Sequence, residues 1–270
     1  MEGNNLPRRR ILLAEDNRTN QMTAVRMLEK LGHQVDVAVN GTEAVEACRQ
    51  FDYGIVLMDN QMPEMDGLTA TRNIRQFEQA HGKPRVPIIA LTANAMRGDR
   101  EMCLAAGMDD YISKPFKAAQ LSEMIERWGQ GAPSPSVALG QDDVPAAHQE
   151  KAIDSRVFDD FRGTGGGAND FVNSLIDQYL TESALRSAEL LSAVGRRDAP
   201  ALRLAAHSLR GNSSAVGATR LAAICAELEQ LARSPTLDGA SALAIAFDDE
   251  FARVRHALEI ERGRADHLVQ

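Results

Sequence analysis

The sequence predicts an α/β domain followed by an all-α domain. Within the first 130 residues, five short apolar runs alternate with five helical patterns, and after Lys151 only helical patterns follow. A length of 270 residues also suits two domains better than one. The intervening stretch is rich in proline and small polar residues, which is typical of a flexible linker. The predicted boundaries are 8–129 for the first domain, 130–150 for the linker and 151–264 for the second domain.

The apolar runs of the first domain have the length and composition of buried strands. They are Ile11–Ala14, Val35–Val39, Ile55–Met58, Ile88–Leu91 and Tyr111–Ile112. The helical patterns that alternate with them are Thr19–Leu31, Thr42–Gln50, Leu68–Glu78, Asp99–Ala106 and Ala118–Trp128. Strands that alternate with helices predict a five-stranded parallel sheet covered by helices on both faces.

The second domain shows helical patterns and no strand pattern. The patterns are Ser155–Phe161, Asp170–Gly195, Pro200–Val216, Thr219–Ala232 and Ala240–Arg262. Gly163–Gly167 is expected to be a flexible break between the first two helices. A phosphate-binding loop is disfavoured there, because no strand precedes the glycines and no Gly-Lys-Ser/Thr follows them. We therefore expect a helical bundle.

Composition excludes several classes of protein. The net charge of −8 argues against direct binding of nucleic acid, since such domains are usually basic. No apolar run approaches the roughly 20 residues that span a bilayer, and no secretory leader is expected. The three cysteines are far apart and show no CxxC spacing, which favours free thiols in a reducing compartment. We therefore predict a cytoplasmic protein without a membrane segment in this chain.

Polar residues follow the predicted strands at the edge where ligands bind in open parallel sheets. Glu15 and Asp16 end the first strand, Asp59 the third and Thr92 the fourth, and Lys114 follows the fifth. Converging carboxylates raise each other's pKa unless a cation compensates, and Mg²⁺ suits such oxygen ligands. With a lysine and a hydroxyl donor nearby, this set predicts phosphoryl transfer to a carboxylate. For each residue alone, the alternative is a solvated acidic rim with a surface lysine.

Four segments around these residues resemble the receiver domains of two-component response regulators. The segments are Leu12–Asn17, Leu57–Gly67, Ala90–Ala93 and Ser113–Phe116. The resemblance covers about Arg9 to Trp128 and implies a flavodoxin-like, doubly wound sheet.

The resemblance also implies roles for individual residues. Asp59 would accept the phosphoryl group, and Lys114 would contact it. Asp16, Asp59 and the backbone carbonyl of Gln61 would bind Mg²⁺, with Glu15 acting through water. Thr92 and Tyr111 would be the switch pair that reports phosphorylation. Asp66, in a Met-Asp-Gly turn, is expected to be structural and not a second acceptor.

His207 stands apart from the other five histidines because of its surroundings on a predicted helix. At about 100° per residue, one face collects apolar and small residues, and His207 lies on the other side. Its predicted neighbours there are Arg203, Arg210, Gly211 and Ser214. The two arginines could contact an anionic group on the imidazole, and glycine would leave room for another protein to approach. A neutral imidazole is a competent nucleophile, although an ordinary surface histidine is the alternative.

The segment around His207 resembles histidine phosphotransfer (Hpt) domains, whose pattern is His-x-Leu-Lys-Gly-Ser-Ser followed by Gly-Ala. The resemblance covers about Ala152 to Arg262. Arg210 replaces the usual lysine and keeps its charge, and Asn212 replaces a serine, for which little loss is expected. The resemblance implies that His207 is the phosphorylated histidine of a four-helix bundle.

Together the two resemblances imply a phosphorelay protein. Its partners would be a sensor histidine kinase as donor and a downstream response regulator, whose receiver domain docks on the helix of His207. No ATP-binding kinase domain is expected, since no glycine-rich ATP lid or asparagine box accompanies the histidine. Two alternatives remain open: the carboxyl-terminal part of a hybrid sensor kinase, and a binding module whose receiver–Hpt contacts are switched by phosphorylation.

Overall fold

The computed structural model describes residues 8–92, 97–129, 151–162, 168–234 and 236–266. The chain divides into two compact units, one up to Asp142 and one from Asp143 onward. The predicted linker 130–150 and the predicted break Gly163–Gly167 lie outside the described residues, and the predicted domain boundaries stay predictions. No helix within the described ranges is both long and apolar enough to cross a membrane.

The first unit is built on the predicted five-stranded parallel sheet. Its strands are β1 (Arg10–Ala14), β2 (Gln34–Ala38), β3 (Ile55–Asp59), β4 (Ile88–Thr92) and β5 (Asp110–Ser113). Their order across the sheet is β2-β1-β3-β4-β5, and each neighbouring pair is parallel. The two strands β3 and β4 are buried along their whole length, which explains why they read as continuous apolar runs.

Five helices alternate with these strands, as predicted. They are α1 (Arg18–Lys30), α2 (Gly41–Gln50), α3 (Gly67–His81), α4 (Arg97–Ala106) and α5 (Ala118–Gly129). Apolar residues of α2, α3 and α4 pack on one face of the sheet. Alternate strand residues point to the opposite face, where α1 and α5 contact each other. Gly82 and Gly107 follow helices in the left-handed conformation, with φ of 61° and 102°.

The strand order fixes where a ligand can bind. β1 has β2 on one side and β3 on the other, so the chain changes direction across the sheet at β1. In doubly wound sheets, the crevice at such a switch point, outside the carboxyl ends of the strands, is the usual ligand site. The residues that follow β1 and β3 are therefore placed at this crevice by topology.

The second unit is helical. Its elements are α6 (Arg156–Arg162), α7 (Ala168–Arg196), α8 (Ala199–Ala215), α9 (Thr219–Leu231) and α10 (Ala240–Asp266). Contacts run from α7 to α8, α8 to α9, α9 to α10 and back from α10 to α7, which closes a four-helix bundle, and α6 packs on α7. Tyr179, Leu209, Leu228 and Phe247 are fully buried in its core.

Candidate functional sites

The carboxyl ends of β1, β3 and β5 bring four of the predicted residues together. One carboxylate oxygen from each of Glu15, Asp16 and Asp59 lies within 4.8 Å of the others. Glu15 and Asp59 are buried, with 1% and 4% of their surface exposed, whereas Asp16 is exposed. Lys114 reaches the same point from β5, and its Nζ donates to Glu15 Oε2 at 2.5 Å and to Asp59 Oδ2 at 2.7 Å.

Burial and charge together set the protonation of this cluster. Burial raises the pKa of Glu15 to about 7; the Lys114 ammonium opposes that rise and the Asp59 carboxylate adds to it. Burial alone would lower the pKa of Lys114, but the carboxylates of Asp59 and Glu15 hold it above its ordinary value. With three carboxylates and one ammonium, the cluster keeps an excess of negative charge and favours a further cation.

The loop after β3 is folded tightly against Asp59. The backbone N–H of Gln61 donates to Asp59 Oδ1 at 3.2 Å. Gly67 donates its N–H to the Asn60 carbonyl at 3.2 Å, and a Cβ on Gly67 would lie 2.0 Å from the Asp59 carbonyl oxygen. Only glycine allows this approach. Asp66 caps α3 by accepting from the Thr69 N–H at 2.7 Å, which agrees with the structural role predicted for it.

The contacts of two asparagines with Glu15 were not predicted from the sequence. Asn20 Nδ2 donates to Glu15 Oε1 at 3.0 Å, and the Asn17 N–H donates to the same oxygen at 3.3 Å. Asn17 also caps α1 through its side chain, so the turn that begins this helix also forms part of the site. An asparagine ahead of a helix predicts the cap, but not its contact with Glu15.

Thr92 and Tyr111 lie on the same face of neighbouring strands. Thr92 is buried at the end of β4, and its carbonyl accepts from the Lys114 N–H at 2.7 Å. Tyr111 on β5 is paired with Ala90, two residues before Thr92, so the alternation of side chains gives both the same orientation. The guanidinium of Arg100 lies 6.0 Å from the Tyr111 ring.

His207 lies on α8 and is less open than the sequence predicted. The helical period correctly put Leu202, Ala205, Ala206 and Leu209 on the buried face. The expectation of an open face for His207 is wrong, however, because only 17% of its side chain is exposed. Its Nδ1 lies 3.3 Å from Oε1 of Glu229 on α9, so a neighbouring helix covers part of the ring.

Glu229 is a charged residue that the sequence analysis missed. It is 2% exposed, and it pairs with Arg233 at 2.9 Å and with Arg210 at 3.2 Å. Burial raises its pKa, but the hydrogen bond to His207 and the charges of His207, Arg210 and Arg233 lower it overall. A glutamate among the apolar positions Leu221, Cys225, Leu228 and Ala232 was the available signal, since a buried charge needs partners.

The other residues predicted around His207 divide into two groups. Arg210, Gly211 and Ser214 are half-buried, and Arg210 Nη2 lies 3.5 Å from His207 Nδ1. Arg203 is exposed, and no hydrogen bond or ion pair joins it to another residue in the described ranges. Asn212, expected to be a tolerant position, is fully buried and donates to Ser183 on α7 at 3.5 Å. It therefore contacts the bundle core.

Comparison with known families assigns both units. Residues 11–126 match the response regulator receiver domain family, and residues 174–257 match the Hpt domain family. The chain is a receiver domain followed by an Hpt domain. This order of domains supports phosphorelay signalling, as the sequence predicted.

Relatives of the receiver–Hpt chain include hybrid histidine kinases. Sensor histidine kinase GacS of Pseudomonas protegens is 31% identical over 239 residues, which cover 87% of this chain and 25% of that protein. Probable histidine kinase 1 of Oryza sativa subsp. indica is 44% identical over 147 residues, which cover 44% of this chain and 15% of that protein. The receiver–Hpt chain thus spans a quarter or less of the length of these two relatives.

Among solved structures, the receiver domain of sensor histidine kinase PA1611 from Pseudomonas aeruginosa PAO1 is 48% identical, with a TM-score of 0.43. The match covers 46% of this chain and 99% of that one. That structure has a magnesium ion coordinated in its active site cleft.

Proposed function

We propose that Asp59 of the receiver domain accepts a phosphoryl group from a sensor histidine kinase. His207 of the Hpt domain exchanges phosphoryl groups with Asp59 and with the receiver domain of a downstream response regulator, which docks on α8. The observation that carries this proposal is the convergence of Lys114, Glu15 and Asp59, with the lysine ammonium held between two buried carboxylates.

Asp59 has the surroundings of a nucleophile for phosphoryl transfer. Its Oδ2 accepts from Lys114, and its Oδ1 accepts from the Gln61 N–H, so both oxygens are oriented. An incoming phosphoryl group brings negative oxygens to a site where the Lys114 ammonium can shift from a carboxylate to the new oxygens. Positioning and charge stabilisation of this kind supply most of the catalysis in phosphoryl transfer.

The acidic cluster also fits Mg²⁺. Its three carboxylates outnumber the single ammonium, and hard oxygen ligands are the ones this ion prefers. Asp16, Asp59 and the backbone carbonyl of Gln61 would hold it, with Glu15 acting through water. When bound, the ion would neutralise negative charge on the phosphoryl oxygens.

His207 has the surroundings of a second phosphoryl carrier. Its imidazole offers a nitrogen nucleophile near neutral pH, and Arg210 places a guanidinium beside it for the charge of a phosphoryl group. Arg203, Gly211 and Ser214 complete the neighbourhood in this proposal. We assign Thr92 and Tyr111 to the switch role in the receiver domain, supported by their shared face on β4 and β5.

The same proposal places the protein in the cytoplasm and in a kinase-linked relay. Cys48, Cys103 and Cys225 are free and buried, which supports a reducing compartment. The similarity to GacS runs across both domains, which supports a receiver–Hpt module that serves a hybrid sensor kinase.

A phosphotransfer time course with a labelled kinase donor tests the roles proposed for Asp59 and His207. We expect Asp59→Asn to abolish labelling of the receiver domain, because it removes the attacking carboxylate. Asp66→Asn is the matched control, since Asp66 lies seven residues later in the same loop and asparagine also caps helices. Normal stoichiometry of label in Asp59→Asn would refute the assignment.

His207→Gln is expected to block transfer through the Hpt domain while Asp59 is still labelled. His256→Gln, at an exposed position on α10, is its control and should transfer normally. Label that still passes to a downstream receiver through His207→Gln would show that another group is the carrier.

A further inference from the structure

A cavity of about 150 Å³ lies in the receiver domain at the edge of the sheet opposite Asp59. It lies between the carboxyl ends of α2 and α3 and the segment that leads into β4. Asp59 ends β3, whereas the cavity borders the residues that precede β3 and β4, so it is separate from the acidic site. A cavity of this size can hold one six-membered ring, since an apolar cavity of similar volume engineered into another protein binds benzene.

The lining of the cavity is largely apolar and aromatic. Cys48 and Ile74 line it and are buried, with 8% and 1% of their surface exposed. Burial raises the pKa of Cys48 to about 12, so its thiol is uncharged at neutral pH. The rings of Phe51, Tyr53 and Phe77 also line the cavity and offer faces and edges on which another ring can pack. The lining therefore suits a flat, apolar ring.

The buried polar groups of this lining already have partners. The two oxygens of Glu78 accept from Arg75 at 3.0 and 2.8 Å, and one of them also accepts from the Val86 N–H at 2.8 Å. Tyr53 donates its hydroxyl hydrogen to Asp36 Oδ2 at 2.8 Å. These groups are committed to the fold, so they do not select the charge of a ligand.

Two cations with weakly bound partners lie beside the Phe77 ring. Nζ of Lys83 lies 5.6 Å from the ring centroid, and the guanidinium carbon of Arg49 lies 5.8 Å from it. Lys83 pairs at 3.2 Å with Asp52, whose side chain is 91% exposed. Arg49 pairs at 3.6 Å with Glu46, and both side chains are half exposed. Exposed pairs of this kind contribute little, so both cations can turn to another anion.

We propose that this cavity binds a monocyclic aromatic carboxylate, whose ring packs on Phe77 and whose carboxylate pairs with Lys83, supported by the charge of Arg49. Charge complementarity selects this occupant. The rings accommodate its apolar part, and the two loosely paired cations attract its anionic part. The inference is independent of the phosphoryl-carrier roles proposed for Asp59 and His207.

Two further charged residues line the cavity and have different roles. Arg85 donates to Asp109 Oδ1 and to the Gly107 carbonyl, each at 2.8 Å, so we assign it no contact with the ligand. Asp52 opposes an anionic ligand, because it holds Lys83 and repels a second carboxylate. Removal of the Asp52 charge should therefore strengthen binding, and removal of the Lys83 charge should weaken it.

Benzoate is the probe for this site, titrated into the full chain and followed by ¹H–¹⁵N NMR. We expect saturable shift changes at the residues that line the cavity, with a Kd on the order of 1 mM, which is ordinary for so small a ligand. Benzyl alcohol keeps the ring without the charge, and acetate keeps the charge without the ring. Each should bind at least about fivefold more weakly.

This comparison uses the unmodified chain, so it does not depend on whether any variant folds. Shifts that do not saturate, or shifts confined to residues outside the cavity, would overturn the proposal. Benzyl alcohol or acetate that binds as tightly as benzoate would also overturn it, since the ring and the charge would then not act together.

Variants of the full chain test the assigned contacts with the same probe. Lys83→Gln should weaken benzoate binding about two- to fivefold, and Asp52→Asn should strengthen it by a similar factor. Phe77→Leu keeps an apolar side chain but removes the ring, and should weaken binding about two- to tenfold. Lys117→Gln removes an exposed lysine that follows β5 and should match the wild type. An equal Kd in the wild type, Lys83→Gln and Phe77→Leu would overturn the proposal, as would weaker binding by Asp52→Asn.

Discussion

At the scale of single residues, Lys114 determines the charge balance of the receiver site. It is 13% exposed at the side chain and contacts two carboxylates that are nearly inaccessible. Two buried carboxylates without a cation would repel each other and lose hydration at the same time. We therefore expect Lys114 to stabilise the fold, in addition to its proposed contact with the phosphoryl group.

We expect Lys114→Gln to lower the free energy of unfolding by about 3 kcal/mol in the presence of EDTA, since removing one partner strands a buried charge. Mg²⁺ should narrow the difference from the wild type, because a cation in the acidic cluster replaces part of the lost charge. Urea unfolding of both proteins with EDTA and with Mg²⁺ provides the measurement.

Lys83→Gln is the control for this comparison. Lys83 pairs with Asp52 at 3.2 Å, but the aspartate side chain is 91% exposed, so the change should cost less than about 1 kcal/mol. Equal stability of Lys114→Gln and Lys83→Gln in EDTA would contradict a stabilising role for Lys114.

Individual residues differ in how much their sequence context revealed. Asp59 was predictable because it ends a continuous apolar strand, which fixes both its edge and its neighbours. The contact of Glu229 with His207 was not predictable, because the two residues are 22 positions apart on different helices and the spacing follows no local period. Asn20 donates to Glu15 only because the turn that begins α1 brings the two side chains together.

At the scale of elements, a clamp at the amino end of β4 fixes α3 and the turn before β5. Arg75 on α3 is 12% exposed and donates to Glu78 at 2.8 Å and to Asp109 at 2.6 Å. It also donates to the backbone carbonyls of Val86 and Gly107. Asp109 in turn accepts from the Ile88 N–H at 2.8 Å, so the clamp sets where β4 begins.

Arg75→Ala is expected to destabilise the receiver domain by about 3 kcal/mol, because the buried Glu78 carboxylate and the Val86 carbonyl lose the guanidinium. Asp109 and the Gly107 carbonyl keep Arg85 as a second donor, which limits the loss. Arg49→Ala removes an arginine whose ion pair with Glu46 is half exposed, and should stay within about 0.5 kcal/mol of the wild type. Urea unfolding compares the two variants; a loss in Arg75→Ala no larger than in Arg49→Ala would argue against the clamp.

The helices show where periodicity is informative and where it is not. The 3.6-residue period of α8 identified the residues that face the bundle core. The period does not predict that α9 also covers His207, because it gives the direction of a side chain around its own helix and not the position of a neighbouring helix. The same limit applies to Asn212, whose contact with Ser183 depends on the register between α7 and α8.

At the scale of the whole molecule, the two proposed phosphoryl carriers, Asp59 and His207, belong to separate compact units of one chain. The sequence that joins them, residues 130–150, is rich in proline and small polar residues. As the flexible linker predicted from its composition, a segment of that length would span about 25 Å on average, and such a tether would give an effective concentration on the order of millimolar. Transfer between Asp59 and His207 within one chain is therefore expected to be favoured over transfer between chains.

Complementation between inactive chains tests this expectation. The wild-type rate of transfer from Asp59 to His207 should not change when the protein is diluted about a hundredfold. In a mixture of His207→Gln and Asp59→Asn chains, label can pass only between molecules. The rate of this transfer should fall in proportion to the protein concentration. Labelled donor with the Asp59→Asn chain alone controls for direct transfer to His207. An equal dependence on dilution in both experiments would show that the tether has no role.

The sequence by itself determined the α/β order, the helical second unit and the edge at which the acidic residues meet. Each follows from local patterns: apolar runs define strands, their alternation with helices makes the sheet parallel, and strand ends in a parallel sheet share an edge. Only tertiary structure decided the ion pairs of Lys114, the close approach of Gly67 to Asp59 and the contact of Glu229 with His207. Those interactions join residues distant in the chain, so distances between elements set them, and no local pattern encodes those distances.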